Sequence, residues 1–589
     1  MKKIFSNLKP LIPLIVLVII FIIAQSVINI LIPLQNIPLA SAIAINDTAA
    51  IWKITITVLL YALGIAILGV ATMYLSAKIG AGFSKRLREM IFTKVQSLSV
   101  AEIENFGTAS LITRTTNDVM QMQVAVIMFI RIVFTTPIML IGGFIASLSV
   151  EKSFSFVYLA AIPLIAIILV FIIIKGSKLF ISVQKKLDNL TVVARENLTG
   201  VRVIRAFNRE EFESKKFNEA NADLTDNSIK VNRLMATLFP SNMWIMNMTT
   251  VVLVLVSALV FNGLSNPVKT DLYANVGATS AVVNYAGMIL GSIIGMAFLF
   301  MLLPRAAASA NRIAEVLNSV PTIFDPEAAV ISSSSEIFHS QKGKVEFRNV
   351  SFSFPGAEKP LLQNLSFTAL PGKTTAIIGS TGSGKSTVAN LIPRFYDVSE
   401  GEVLVNGVNV KDVSQKQLRE KIGFVTQNAL LFSGTVRQNI EGSLNLSDKE
   451  IMRAAKIAQV KDLIENTDNG LNHYIAQGGK NLSGGQKQRL TIARAIAKKP
   501  DIYVFDDSFS ALDFATDKKL RAALKKEISN STSTIIIVAQ RVSTILNADQ
   551  ILVMDNGQML CSGTHKELME CCETYREIVL SQIDEEEAA

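Results

Sequence analysis

Residues 379–386 read Gly379-Ser380-Thr381-Gly382-Ser383-Gly384-Lys385-Ser386. They follow a strand-like run, Thr375 to Ile378, and lead into a helical pattern that opens near Ser386 and includes Thr387. The spacing is that of a phosphate-binding loop, G-x-x-x-x-G-K-[ST]. Its glycines let backbone N–H groups curl around phosphate oxygens, Lys385 adds a cation, and the Ser386 hydroxyl suits Mg²⁺. A strand, this loop and a helix in succession predict an α/β domain with nucleotide phosphates at its loop.

Downstream, Ile502-Tyr503-Val504-Phe505 is an apolar strand that ends in Asp506-Asp507. A carboxylate at a strand end can hold Mg²⁺, directly or through water, and Asp506 is assigned that role. Between the two lies Asn481-Leu482-Ser483-Gly484-Gly485-Gln486, where serine and glycine N–H groups at a helix N-terminus form a second anion site. The domain is expected over 343–589, opening on an edge strand at Lys344 to Phe347, with an acidic tail from Asp584 to Ala589. Residues 321–342, with Pro321, Asp325-Pro326 and the run Ser332 to Ser335, read as a linker.

Upstream the chemistry changes. Half of the 589 residues are hydrophobic and 18% are charged, against about 25% in an ordinary soluble domain. Six apolar stretches, near 11–33, 54–76, 125–148, 155–175, 241–262 and 274–303, each meet the roughly 20-residue length that crosses hydrocarbon. The first is too long for a signal peptide. Residues 1–320 are therefore expected to form an all-α, six-helix transmembrane domain. Eighteen Lys and Arg fall on the two long loops, 78–120 and 175–235, and three on the other connections: Lys53, Lys152 and Lys269. The positive-inside rule then puts the long loops, both termini and the α/β domain in the cytoplasm of a cell-membrane protein. The same distribution accounts for the net charge of +9 without a nucleic-acid partner. Helical patterning persists from Glu196 to Phe217, so the spans are expected to continue into the cytosol.

Cys561, Cys571 and Cys572 form no spaced framework and are expected to be reduced thiols. His339, His473 and His565 are scattered, with no metal-ligand spacing. In the spans, Gly287, Gly291 and Gly295 form a small-residue face that permits close helix approach. Gln25, Asn29, Asn242, Asn247 and Asn284 suit either cargo contact or hydrogen bonding between helices. Trp244 with Met246, Met248, Met288, Met296 and Met301 suits an adaptable lining or plain packing. Arg131 is expected to snorkel to the inner interface, with a cargo or ion-pair site as the alternative.

The phosphate loop, the strand ending in Asp506 and the sequence Leu482-Ser483-Gly484-Gly485-Gln486 together resemble the ATP-binding cassette family, whose signature is LSGGQ. Six spans before one cassette resembles its exporter half-transporter layout over essentially the whole chain. The resemblance implies two cassettes paired head to tail, each ATP lying between one phosphate loop and the other chain's signature. It implies that Phe354 stacks on adenine, that Gln427 senses Mg²⁺ and contacts the membrane domain, and that Asp513, in Ser510-Ala511-Leu512-Asp513, links the two sites. Short cytoplasmic helices around Ala101–Gly107 and Ala206–Phe212 would transmit cassette motion.

Three positions depart from the family. Asp507 stands where it usually has the glutamate that activates water, Gln540 where it has a histidine near the γ-phosphate, and Gln477 where exporters often have glutamate. Asp507 is a methylene short, and glutamine cannot titrate near neutral pH. The pattern resembles the degenerate-site subunit of heterodimeric bacterial multidrug exporters. It implies export of amphipathic small molecules driven by ATP and Mg²⁺, slow hydrolysis here, and a partner half-exporter with intact glutamate and histidine. Lipid flipping, peptide export, a homodimer and an ATP-gated channel-like protein are the alternatives. Peptide export of the bacteriocin kind is weakened because no peptidase-like stretch precedes the first span.

Overall fold

The computed structural model describes residues 2–150, 152, 155–262, 269–325, 341–467, 469–529 and 532–582. The Ser332–Ser335 run, the acidic tail and the side chain of Met301 lie outside what is described. The chain divides into two compact units, Met1–Gln96 with Phe106–Ser319, and Ser97–Asn105 with Val320–Ala589.

In the first unit the apolar runs fold as helices, because in hydrocarbon only an internally hydrogen-bonded backbone is tolerated. In chain order the helices up to Asn318 are α1 (Ile12–Leu34), α2 (Asn36–Ala44), α3 (Thr48–Gln96), α4 (Val100–Phe106), α5 (Thr108–Thr113), α6 (Val119–Val150), α7 (Ser155–Thr199), α8 (Val201–Ala206), α9 (Glu210–Ala236), α10 (Leu238–Asn262) and α11 (Lys269–Asn318), of which α4, but for its last residue, groups with the second unit. Six helical stretches are long and apolar enough to cross a membrane. At about 1.5 Å per residue, the 49 residues of α3 exceed twice the thickness of hydrocarbon, so the helix runs well past it. The helical reading of Glu196 to Phe217 is interrupted. The chain breaks at Gly200 and turns again at Asn208, which has φ 51°.

Buried polar groups tie α1, α6, α7 and α11 together. Tyr158 donates to Val282 O at 2.8 Å and accepts from Ser147, while Tyr285 donates to Ile30 O at 2.7 Å. Near the start of α6, Asp118 accepts from Ser309 (2.9 Å) and from Nε of Arg312 (2.8 Å). Close helix approach does occur on α11, but at Gly277, where a Cβ would lie 2.5 Å from Asn36 O. At Gly291 it would meet nothing within 4 Å, while at Gly287 and Gly295 it would make ordinary contacts with Met246 (3.6 Å) and Thr136 (3.7 Å), so this face opens at Gly291 and is not a close helix crossing.

The second unit holds two main sheets. Strands β1 (Val345–Phe352), β2 (Leu362–Ala369), β4 (Glu400–Val405) and β5 (Val408–Asn409) form an antiparallel sheet of order β2-β1-β4-β5. Strands β3 (Thr374–Gly379), β6 (Ile422–Val425), β9 (Ile502–Asp506), β10 (Thr534–Val538), β11 (Gln550–Asp555) and β12 (Gln558–Gly563) form the other, of order β12-β11-β3-β10-β9-β6. A short pair, β7 (Gly434–Thr435) and β8 (Tyr474–Ile475), completes the set. All pairs of the six-stranded sheet are parallel except β11–β12. The strands β9 and β10 are buried throughout, as apolar strands covered on both faces must be. Helices α12 (Lys385–Leu391), α13 (Asp448–Ile457), α14 (Gly484–Ala497), α15 (Phe514–Ser529), α16 (His565–Cys571) and α17 (Glu573–Leu580) accompany the sheets.

One expectation is corrected here. Cys561, on β12, and Cys572, between α16 and α17, are joined as a disulfide with Cα atoms 6.4 Å apart, and Cys571 alone is free. The helix α16 starts just after β12 ends and packs back on it, which brings the two sulfurs together within the distance a bridge requires.

Candidate functional site

The loop 379–386 leaves the carboxyl end of β3, in the interior of the parallel sheet, where open α/β sheets place their ligands. Two glycines are obligatory for reasons visible in space. A Cβ at Gly379 would lie 1.9 Å from Met554 O, and one at Gly384 would lie 2.6 Å from Leu362 Cδ2 with φ 92°. Ser380 donates to Asp555, and Ser383 N to Ser380 O, which closes the turn. Thr381 and Gly382 face outward, and Thr387 is buried at the start of α12. Lys385 folds back over the loop, donating to Gly379 O (3.0 Å) and Ser380 O (2.6 Å). Burial holds its ammonium below the usual lysine range, opposed by the charges of Asp507 and Asp506. A buried cation of this kind is poised for phosphate oxygens.

The strand β9 brings the two acids to the same edge. Ser386 donates to Asp506 Oδ1 at 2.8 Å, and Asp506 is 6% exposed. Burial raises the Asp506 carboxyl above the ordinary carboxylate range and the Asp507 charge adds to this, while Ser386 and Lys385 pull it back. These donors fit Mg²⁺. The Ser386–Asp506 separation is close to the edge of an octahedron with metal–oxygen bonds of about 2.1 Å, roughly 2.9 Å. No trio of His, Cys, Asp and Glu forms a metal site among the described residues.

Asp507 sits differently. Its backbone is left-handed, at φ 46°, a region that Asp tolerates better than larger side chains. Its N–H donates to Val538 O on β10, and its Oδ2 accepts from Gln427 Nε2 at 3.1 Å. Burial pushes its carboxyl up, against the Gln427 hydrogen bond and the charges of Arg541 and Lys385. Strand register pairs Val538 with Asp506 and with Ile377, so Gln540, just past β10, emerges at the same edge as the loop and the acids. Its side chain is exposed. Its carbonyl accepts from Gln582 Nε2 (3.0 Å), and Val542 N donates to Gln582 Oε1 (2.8 Å), so one C-terminal side chain clamps the turn that carries Gln540.

Phe354 is 39% exposed and packs edge-to-face against Phe352 and Tyr396, with its ring held for stacking. The signature stretch is built separately. Ser483 caps α14, accepting from Gln486 N, while Gln486 Oε1 accepts from Ser483 N (2.8 Å), a reciprocal capping box. A Cβ on Gly484 would meet nothing, and one on Gly485 would approach Ala511 O at 3.2 Å. Asp513 caps the next helix through Thr516 N, which holds its carboxyl low. Among the described residues no hydrogen bond or ion pair joins Ser483–Gln486 to 379–387. The loop, Asp506, Asp507 and Gln427 thus form one cluster, which the signature does not join by hydrogen bond or ion pair among the described residues.

Two features escaped the sequence. The stretch Ser97–Asn105 groups with the second unit, where Tyr396 donates to Glu104 Oε2 at 3.0 Å. A contact across so long a sequence separation leaves no local trace. The Gln582 clamp is equally silent, since a glutamine past the last helix has no pattern of its own.

Comparison with known proteins places the chain in a family. Residues 15–303 match the family of the ABC transporter transmembrane region, and residues 362–510 match the ABC transporter family. The chain is 36% identical to the uncharacterized ABC transporter ATP-binding protein YfiB of Bacillus subtilis, covering 100% of this chain and 99% of that one. It is 33% identical to the ATP-dependent lipid A-core flippase of Pseudomonas aeruginosa, covering 87% and 82%. Its fold matches that of a bacterial Atm1-family ABC exporter solved with ATP bound, with TM-score 0.78 over 98% and 99% of the chains at 22% identity. The chain belongs to the ABC transporter family. Within that family it has the exporter half-transporter build, a multi-pass membrane region followed by one ATP-binding cassette.

Proposed function

We propose that the chain is one half of an ATP-driven exporter of hydrophobic or amphipathic small molecules, working as a heterodimer with a second half-exporter. It lies in the cell membrane with its termini and cassette in the cytoplasm. ATP binds along Gly379, Ser380, Thr381, Gly382, Ser383, Gly384, Lys385, Ser386 and Thr387, with the adenine on Phe354. Ser386, Asp506 and Gln427 hold Mg²⁺, which would supply charge neutralisation on the phosphates.

The observation that carries the unequal division of labour is the Asp507 carboxylate. It is a methylene shorter than the family's glutamate and is already engaged by Gln427. A shortfall of about 1 Å can lower a rate roughly 100-fold. Gln540 can donate a hydrogen bond to phosphate but cannot take a proton. Binding at this site closes the pair, and the fast hydrolysis that reopens it occurs at the mate's site, completed by Ser483, Gly484, Gly485 and Gln486 of this chain. Closure by a ligand that prefers one state is a population shift.

A second reading, lipid translocation by the same mechanics, is favoured by the similarity to a lipid A-core flippase. The test is reconstitution of the chain alone and with a second half-exporter that carries the glutamate and histidine. Cargo-stimulated ATP turnover and movement of a labelled drug only in the pair support the proposal. Robust turnover and transport by the chain alone count against it.

A further inference from the structure

In the first unit a cavity of about 490 Å³ opens between α1, α6 and α11, with Asn29, Arg131, Thr136, Met139, Gly291 and Ser292 in its lining. Its size falls in the range of drug-sized sites, about 300–1,000 Å³. The open glycine face of α11 forms its floor, and methionine supplies a polarisable wall.

Arg131 lies about 18 Å along α6 from Val119 and about 28 Å from Val150, inside the apolar stretch 125–148. Among the described residues it has neither ion pair nor hydrogen bond, and no carboxylate lines the cavity. A lone charge within a membrane span is costly and marks a wet cavity or a ligand path. A second, independent group points the same way. Thr136 is 5% exposed, makes no hydrogen bond among the described residues, and lines the same cavity. Its hydroxyl is not among the fully enclosed unpartnered atoms, so it is open to the cavity. An unpaired cation and an unpaired donor converge on a space whose remaining walls are largely apolar.

We infer that this cavity is a cargo site for amphipathic organic anions, with Arg131 binding the anionic head, Thr136 donating a hydrogen bond to it, and the methionine and glycine walls taking the apolar body. This deepens the exporter reading and rests on it for transport, though not for binding. Amphipathic cations, by the same field, are disfavoured.

The probe is dansyl-labelled undecanoate, titrated by fluorescence into the full chain as it assembles in the membrane, held in phosphatidylcholine nanodiscs. Saturable binding is expected, displaced by dodecyl phosphate and not by dodecyltrimethylammonium. Arg131→Gln should weaken it about tenfold or more, and Arg131→Lys should restore it to within about threefold. Fluorescent-nucleotide binding to the cassette checks that both variants fold. Displacement by dodecyltrimethylammonium as effective as by dodecyl phosphate, or wild-type affinity in Arg131→Gln, would overturn the inference. Competition by phosphatidylglycerol added to the nanodiscs would show that the anion is drawn from the bilayer, and its failure to compete that it comes from solution; either result upholds the anion site. Arg131-dependent binding without ATP-driven movement would sink the exporter reading and leave the site standing.

Discussion

Gln427 donates from Nε2 to Asp507 Oδ2 at 3.1 Å. That bond joins the residue expected to sense the metal to the acid that stands in the general-base position. It occupies one of the carboxylate's oxygens and leaves the short side chain little freedom to reach a water on the phosphate side.

Lengthening the acid should therefore help, within limits. Asp507→Glu restores the missing methylene but places a longer side chain at φ 46°, a conformation that costs a non-glycine residue about 1–2 kcal/mol. Single-site turnover, read as product formed with the mate's site disabled, should rise by about tenfold or less. The double variant Asp507→Glu with Gln540→His should exceed the product of the single effects, because groups acting on one step are non-additive. No gain in the double variant would contradict the account.

The signature serine has two jobs that one substitution separates in measurement. Ser483→Ala removes the cap of α14, which costs about 1 kcal/mol locally and appears as faster amide exchange in its first turn. On the proposed pairing it also removes a donor to the mate's nucleotide, so turnover of the assembled pair should fall by about tenfold or more while nucleotide binding to this chain's own loop is kept.

Tyr396 holds Glu104, on the segment that joins the membrane helices α3 and α5 by chain continuity. Burial, helped by the Glu104 bond and charge, pushes the phenol up to about 12, so it remains a donor at every working pH. Tyr396→Phe should remove about 1 kcal/mol of attachment. Cargo stimulation of ATP turnover should drop by at least about half while cargo-free turnover stays within about twofold. Equal loss of both would reduce Tyr396 to a packing residue.

The cassette also carries a pH marker. The Lys499 ammonium, with the Ser447 N–H and hydroxyl, holds the exposed Glu450 carboxyl down to about 2. A depressed carboxyl stabilises the fold above its unfolded value of about 4.3 and loses that contribution as pH falls through the folded value. The thermal midpoint of the wild type should therefore exceed that of Glu450→Gln near neutral pH. The gap should narrow steadily from about pH 4 to about pH 2. A gap independent of pH would contradict this.

Much of the molecule could be read before its structure, for physical reasons that also mark where reading stopped. A phosphate loop needs glycines and a lysine at fixed offsets, so Gly379, Gly384 and Lys385 announce themselves along the chain. A span needs some twenty apolar residues in a row, and six such runs do fold as long helices. Capping reciprocity between Ser483 and Gln486 is equally local. What escaped depends on chain reversal. Cys561 and Cys572 meet only because α16 folds back on β12. Spacing alone gives Gly287, Gly291 and Gly295 a shared face, but only the neighbouring helices decide whether that face is packed or opens on the Arg131 cavity. Likewise the left-handed backbone of Asp507 is invisible in an Asp-Asp pair.

The central claim is that this chain lends a sound signature to its mate while its own acid works slowly. The direct measurement is steady-state ATP turnover of the purified pair with each general-base position neutralised in turn. Neutralising the mate's glutamate should abolish turnover, and Asp507→Asn should lower it by less than about threefold. Turnover that survives loss of the mate's glutamate but stops with Asp507→Asn would contradict it.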